Sequence, residues 1–168
     1  MKRSLPAKIL AVLAMFVALL AGSAVPASAD TGIWYIGNEA GGCLDHSDQF
    51  DFRVFACNND PRYQHHYLER VPGTTDKYRF IGRTGAGNYT RCLTAYGFNM
   101  FAKADVCRGS NTQVWRIWYS GTRPYFVSDS YPSLCLTKSD VAISGGSRLT
   151  TSTCAGLLKQ YWKWLPST

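Results

Sequence analysis

Cys92-Leu93-Thr94, then Cys107, then Gln113-Val114-Trp115: this stretch decides the fold, because the chain writes it three times. The earlier copy reads Cys43-Leu44-Asp45, Cys57 and Gln64-His65-His66. The later copy reads Cys135-Leu136-Thr137, Cys154 and Gln160-Tyr161-Trp162. A period of roughly 40 to 50 residues marks one structural unit built three times. The repeats span about 30–72, 73–121 and 122–168, and together they use all six cysteines.

Two short aromatic and β-branched runs flank each copy. Trp34-Tyr35-Ile36, Tyr78-Arg79-Phe80-Ile81 and Tyr125-Phe126-Val127 come before the Cys-Leu pairs. His66-Tyr67-Leu68, Trp115-Arg116-Ile117-Trp118 and Trp162-Lys163-Trp164-Leu165 follow the glutamines. The last two alternate large apolar with basic side chains, the period of a half-buried strand. Pro72-Gly73 and Ser120-Gly121 punctuate the boundaries between repeats. No stretch after residue 29 has helical periodicity, so the expected fold class is all-β, a closed barrel or sandwich. Three equal units favour closure around one axis, which leaves no long exposed edge.

The first 29 residues are expected to be a secretory signal peptide. Lys2, Arg3 and Lys8 make a basic start, and Ile9 to Ala21 is an apolar run of 13 residues. That run is short of the ~20 residues a membrane span needs. Ala27-Ser28-Ala29 offers the small residues of a cleavage site, which places the cut before Asp30. Residues 30–168 are then one secreted domain, long enough for its own core. Six cysteines in an exported chain suggest disulfides, and no pair has the short spacing of a zinc site. The repeat selects a local pairing: Cys43–Cys57, Cys92–Cys107 and Cys135–Cys154.

The formal charge of +7 overstates any attraction for anionic partners. Of 18 Lys and Arg, three lie before residue 30, leaving 15 against 11 acidic residues. These positives are scattered, so the charge reads as solubility rather than nucleic-acid binding.

The threefold pattern of Cys-Leu-Asp/Thr, Cys and Gln-x-Trp resembles the ricin B-type lectin family over essentially all of residues 30–168. The resemblance implies a β-trefoil, three four-stranded lobes about a pseudo-threefold axis, with the Gln-x-Trp segments in its core. Gln113 and Gln160 suit that role as donors and acceptors at the foot of a loop, and Trp115 and Trp162 bring large apolar area. His66 stands where the first lobe should have tryptophan. Tyr67 and Tyr63 are the residues expected to cover that smaller ring.

The resemblance also implies a sugar site, galactose- or xylan-type, in the first repeat. A carboxylate takes ring hydroxyls and an aromatic face stacks on the sugar. Asp45 falls at the carboxylate position and Phe55 at the aromatic one. Arg53 replaces the usual amide, and Gln64 supports. Tyr63 replaces an asparagine, with Asn58 and Asn59 nearby. The second and third repeats depart from the pattern: Thr94 and Thr137 replace the aspartate, Asp105 and Ser152 the aromatic, Lys103 and Thr150 the amide. Tyr96, Phe98 and Phe101 crowd one loop of the second repeat and offer a different platform, or packing between hairpins.

Other signals are weak. Asp45, Asp48 and Asp51 lie three apart with Ser47 among them, but no calcium-loop glycine or closing glutamate follows. Asn88-Tyr89-Thr90 is a sequon read as an ordinary loop. His46, His65 and His66 lack the spacing of a helical metal site. No nucleophile elbow is present. The chain is therefore expected to be no enzyme and to need no cofactor. Three function classes stay open: a secreted lectin-like module binding a glycan or polysaccharide; a trefoil that binds protein, as an inhibitor or toxin or surface-assembly subunit, through loops such as Tyr96–Phe101; and a lone structural domain with neither activity.

Overall fold

All six aromatic and β-branched runs form strands. The structure is a computed structural model and describes residues 32–46, 51–83 and 89–166. The expected signal peptide, Ser47 and Asp48, and Asn88 of the sequon lie outside the described residues. The first lobe holds β1 (Gly32–Asn38), β2 (Cys43–Asp45), β3 (Arg53–Phe55) and β4 (His65–Arg70). The second holds β5 (Lys77–Arg83), β6 (Tyr89–Thr94), β7 (Lys103–Val106) and β8 (Trp115–Ser120). The third holds β9 (Arg123–Ser128), β10 (Leu134–Ile143), β11 (Gly146–Thr153) and β12 (Trp162–Leu165). Short 3₁₀ turns at Asn111–Gln113 and Leu158–Gln160 carry the later two glutamines.

The first and last strands of each lobe make a barrel. β1 pairs with β12 and β4, β4 with β5, β5 with β8, and β8 with β9, all antiparallel. Side chains close the gap between β9 and β12, where the rings of Phe126 and Trp162 stack with centroids 5.5 Å apart. The middle strands make hairpins β2–β3, β6–β7 and β10–β11. The hairpins lean on one another: β11 pairs with β3, and Phe101 bridges to Thr150.

Register makes the lobes superimposable in detail. Gly37 pairs with Cys43, Ile81 with Cys92 and Val127 with Cys135. Ile36, Phe80 and Phe126 therefore occupy equivalent places, and all three are fully buried. Leu44, Leu93 and Leu136 form a second buried triplet, as expected of the Cys-Leu pairs. Cystines join Cys43 to Cys57, Cys92 to Cys107 and Cys135 to Cys154, each closing a loop within its own lobe.

The third triplet settles the question of His66. Trp115 Nε1 donates to the Leu93 carbonyl at 2.9 Å, and Trp162 Nε1 to the Leu136 carbonyl at 3.3 Å. His66 Nε2 makes the same bond to the Leu44 carbonyl at 3.0 Å. Imidazole thus copies the indole hydrogen bond but not its volume. The missing volume is supplied by Phe52, whose ring centre lies 5.5 Å from that of His66. This corrects the expectation that Tyr63 and Tyr67 cover the histidine. Phe52 precedes the strand residue that pairs with Asp45, so its counterparts are Ala102 and Leu149. A large residue accompanies the small ring in the first lobe and alanine accompanies Trp115 in the second, so volume is exchanged between these two lobes, while the third has Leu149 with Trp162.

Each cystine closes a loop of 14 to 19 residues. In the chain-entropy model such a loop contributes ~3 kcal/mol. Replacing Cys92 and Cys107 by alanine should lower the melting temperature by roughly 10 °C in a chain of this size. Calorimetry of that double variant checks it, and an unchanged melting point would show that the bridges do not carry the stability assigned to them.

Candidate functional site

Each glutamine is the hub of its lobe. Gln64 Oε1 accepts from the backbone N–H groups of Asn58 (3.0 Å) and Asn59 (3.1 Å), and its Nε2 donates to the Ala56 carbonyl at 2.8 Å. Gln113 accepts from the Arg108 N–H at 2.9 Å and donates to the Val106 carbonyl at 2.8 Å. Gln160 accepts from the Ala155 N–H at 2.8 Å and donates to the Thr153 carbonyl at 2.7 Å. All three are buried, and their amides satisfy the backbone groups of the turn around them. Asn58 and Asn59 serve this turn through their main chain and also through their side chains, Asn58 Oδ1 accepting from the Asp60 N–H at 3.2 Å and Asn59 Oδ1 lying 2.7 Å from His65 Nε2.

The same hubs explain Asp45. Nε2 of Gln113 and of Gln160 lies 3.3 Å from the hydroxyls of Thr94 and Thr137. In the first lobe Gln64 Nε2 lies 3.5 Å from Asp45 Oδ2, so Asp45 holds the threonine's place. A carboxylate there needs a counter-charge, and Arg53 Nε donates to Asp45 Oδ1 at 2.7 Å. Asp45 and Arg53 are 3% and 8% exposed, which makes this a buried ion pair. The Arg53 guanidinium also lies over the Phe55 ring, 4.4 Å from its centre.

The four first-lobe residues are therefore brought together, and they are occupied with one another. A sugar hydroxyl reaches Asp45 only by displacing Arg53. Phe55 is half-buried between Arg53 and the third lobe's hairpin, where Gly146 pairs with it. Gly145, at φ +76°, sits so close that a Cβ there would run into the Phe55 ring.

The second lobe places a comparable set of groups in the open. Tyr96 is 44% exposed, and its hydroxyl donates to Asp105 Oδ2 at 3.0 Å. Asp105 Oδ1 accepts from the Val106 N–H at 2.9 Å. The Tyr96 hydroxyl, then this backbone bond, hold the Asp105 carboxyl below the ordinary carboxylate range, with Arg108 and Arg91 adding to the effect. It is ionised at neutral pH. Lys103, on the strand position paired with Thr94, places its ammonium 5.9 Å from the centre of the Tyr96 ring. Ring, anion and cation thus converge on one exposed face.

The backbone of this loop is firmly held. Asn99 N–H donates to the Thr151 carbonyl at 2.7 Å, and Thr151 N–H returns to the Met100 carbonyl at 3.1 Å. The Thr151 hydroxyl bonds the Gly97 carbonyl, and Ala102 N–H bonds the Leu149 carbonyl at 3.1 Å. The third hairpin braces the loop, which presents Phe98 (60% exposed) and Met100 (54%) beside Tyr96. Phe101 turns inward under the Arg148 guanidinium, 4.7 Å from its ring centre.

Comparison with solved structures matches this architecture. The designed threefold-symmetric protein ThreeFoil superposes with a TM-score of 0.66 at 15% identity, over 80% of this chain and 98% of that one. The fold is a β-trefoil. The trefoil also superposes on an exo-β-1,3-galactanase from Clostridium thermocellum, with a TM-score of 0.67 and 18% identity, over 82% of this chain and 30% of the galactanase. A Polyporus squamosus lectin bound to Neu5Acα2-6Galβ1-4GlcNAc gives a TM-score of 0.59 at 20% identity, over 80% of this chain and 48% of the lectin. The trefoil spans about a third of the galactanase and about half of the lectin. No protein-family model matches the sequence, and no curated protein matches it.

The sequence pointed to Tyr96 through its aromatic loop, but set Asp105 and Lys103 aside as departures from the family pattern. The available signal was their common strand with one residue between them, which puts both side chains on one face of β7.

Proposed function

We propose that this trefoil is a secreted carbohydrate-binding module of ricin B type, and that its sugar contact lies in the second lobe rather than the first. One observation carries the reading: exposed Tyr96 and Lys103 converge with half-buried Asp105 at a braced hairpin and its loop. A ring face, a charged acceptor and a charged donor are the groups a pyranose requires. The galactanase and the lectin among the fold's neighbours support the substrate class, galactose-containing glycan or related polysaccharide. Binding without catalysis, a leader removed before Asp30, and a single domain over residues 30–168 belong to the same reading.

In the first lobe the proposed contact residues Asp45, Arg53, Phe55 and Gln64 act as structure. Arginine at the amide position is the change responsible, because it neutralises the carboxylate a sugar would use. A shallow site of this kind binds weakly alone, so avidity requires a multivalent glycan or an oligomer.

A glycan-array screen of the protein beside Tyr96→Ala and Asp105→Asn tests this. The expected result is binding that falls at least about tenfold in each variant, the equivalent of about 1.4 kcal/mol. Binding indifferent to both variants would reject the second-lobe site. The exposed Phe98 and Met100 favour the second reading, a protein-binding loop, which a screen without any glycan hit would leave standing.

A further inference from the structure

The barrel's end away from the hairpins holds a second candidate site. Trp34 and Tyr78 stand two residues before Ile36 and Phe80, on the same side of their strands and one layer further out. The third lobe has Pro124 at that place, so the first strands of the lobes bring two rings to the layer where threefold repetition would bring three. Leu68, Ile117 and Trp164 stand two residues after His66, Trp115 and Trp162 and complete the layer. A cavity of about 480 Å³ opens here, with Trp34, Tyr78, Tyr119 and Trp164 among its lining residues. The two indole rings lie with centroids 4.9 Å apart. Its volume falls in the roughly 300–1,000 Å³ range of small-molecule sites.

Asp76 is the charged residue of this lining. Its backbone carbonyl takes the Ile117 N–H at 2.9 Å, and its carboxylate makes no hydrogen bond or ion pair among the described residues. The cations beside it are engaged elsewhere. Lys77 and Arg116 both pair with Asp129, at 3.0 and 2.8 Å. Trp34 Nε1 is buried and has no acceptor among the described residues. Hydroxyl-reading groups are few, since the Tyr78 hydroxyl is used on the Thr75 carbonyl at 3.4 Å.

We propose that this cavity binds an organic ammonium group of the choline type. The aromatic lining of Trp34, Tyr119 and Trp164, with Tyr78 behind it already carrying the Arg70 guanidinium 5.7 Å from its ring centre, attracts a cation whose surface is methyl groups, most strongly where water is excluded. The Asp76 carboxylate, which no described residue neutralises, supplies the counter-charge. A sugar would leave most of its hydroxyls without partners in this lining, which separates this site from the second-lobe contact.

The test is tryptophan fluorescence of the purified protein titrated with choline and with 3,3-dimethyl-1-butanol, its uncharged isostere. The proposal expects saturable quenching by choline at about millimolar concentration, and binding of the isostere at least about tenfold weaker. Asp76→Asn, shown to be folded by near-ultraviolet circular dichroism, should weaken choline to a similar degree. Phosphatidylcholine vesicles form a separate arm: retention on them assigns the group to a lipid headgroup, and choline binding without retention assigns it to a soluble ligand. Equal binding of choline and its isostere, or no response to choline, would overturn the proposal.

Discussion

As pH falls from about 6.5 toward 3, the protein should lose stability at about 1.4 kcal/mol per pH unit through His66 alone. Burial pushes this imidazole down to about 3 from an ordinary 6.5. The bond to the Leu44 carbonyl fixes the proton on Nε2, because a carbonyl only accepts. Nδ1 is buried with no hydrogen-bond partner among the described residues, so none of them stabilises a second proton there. Between the two values the unfolded chain takes up a proton that the folded chain refuses. Stability is thus full above about pH 6.5 and falls as pH drops, by an amount on the order of 4 kcal/mol near pH 3. That is a large share of the roughly 5–15 kcal/mol of a typical domain.

The second lobe supplies the matched control. His66→Trp alone overfills the space held by Phe52, at a cost of about 1–3 kcal/mol. Phe52→Ala alone opens a cavity and costs about 3–5 kcal/mol. Together they recreate the Ala102 and Trp115 pair, so their effects should largely cancel. Urea melts of the double variant from neutral pH down to pH 4 should show the His66 slope gone. A slope that survives would place the acid sensitivity elsewhere.

Asp45→Ala should destabilise the fold by about 3–5 kcal/mol, the range for breaking a buried ion pair from one side. Asp45 and Arg53 are both more than nine-tenths buried, and the substitution leaves the guanidinium without the carboxylate that holds it at 2.7 Å. A surface sugar contact would behave differently, since its loss weakens binding and leaves melting almost unchanged. The third lobe shows the remedy. Thr137 and Thr150 pair there in the same register. Asp45→Thr with Arg53→Thr should therefore recover most of the stability lost in Asp45→Ala. Denaturant midpoints of the single and double variants measure this directly.

Much of the architecture was legible because repetition was. Three Gln-x-ring segments in register with three cysteine pairs fixed lobe number, bridge pairing and core triplets without any long-range information. The content of the first-lobe site was not legible in the same way. Asp45 and Phe55 match a sugar-site pattern one residue at a time, but function depends on what Arg53 does between them. Arginine can face solvent or turn onto a carboxylate, and the sequence pattern alone does not say which. The Phe52–His66 exchange was hidden for a related reason. Residues 14 apart in sequence meet only once the hairpin register is known. The mouth cavity depends on Pro124 standing where two other lobes have rings, a comparison that requires strand register as well.

The most direct measurement is calorimetric titration of the strongest array glycan into three proteins: wild type, Tyr96→Ala, and the Asp45→Thr/Arg53→Thr variant. The account predicts wild-type affinity in the first-lobe variant and loss of binding in Tyr96→Ala. Loss of binding in the first-lobe variant, with Tyr96→Ala unaffected, would contradict it and return the sugar site to Asp45 and Phe55.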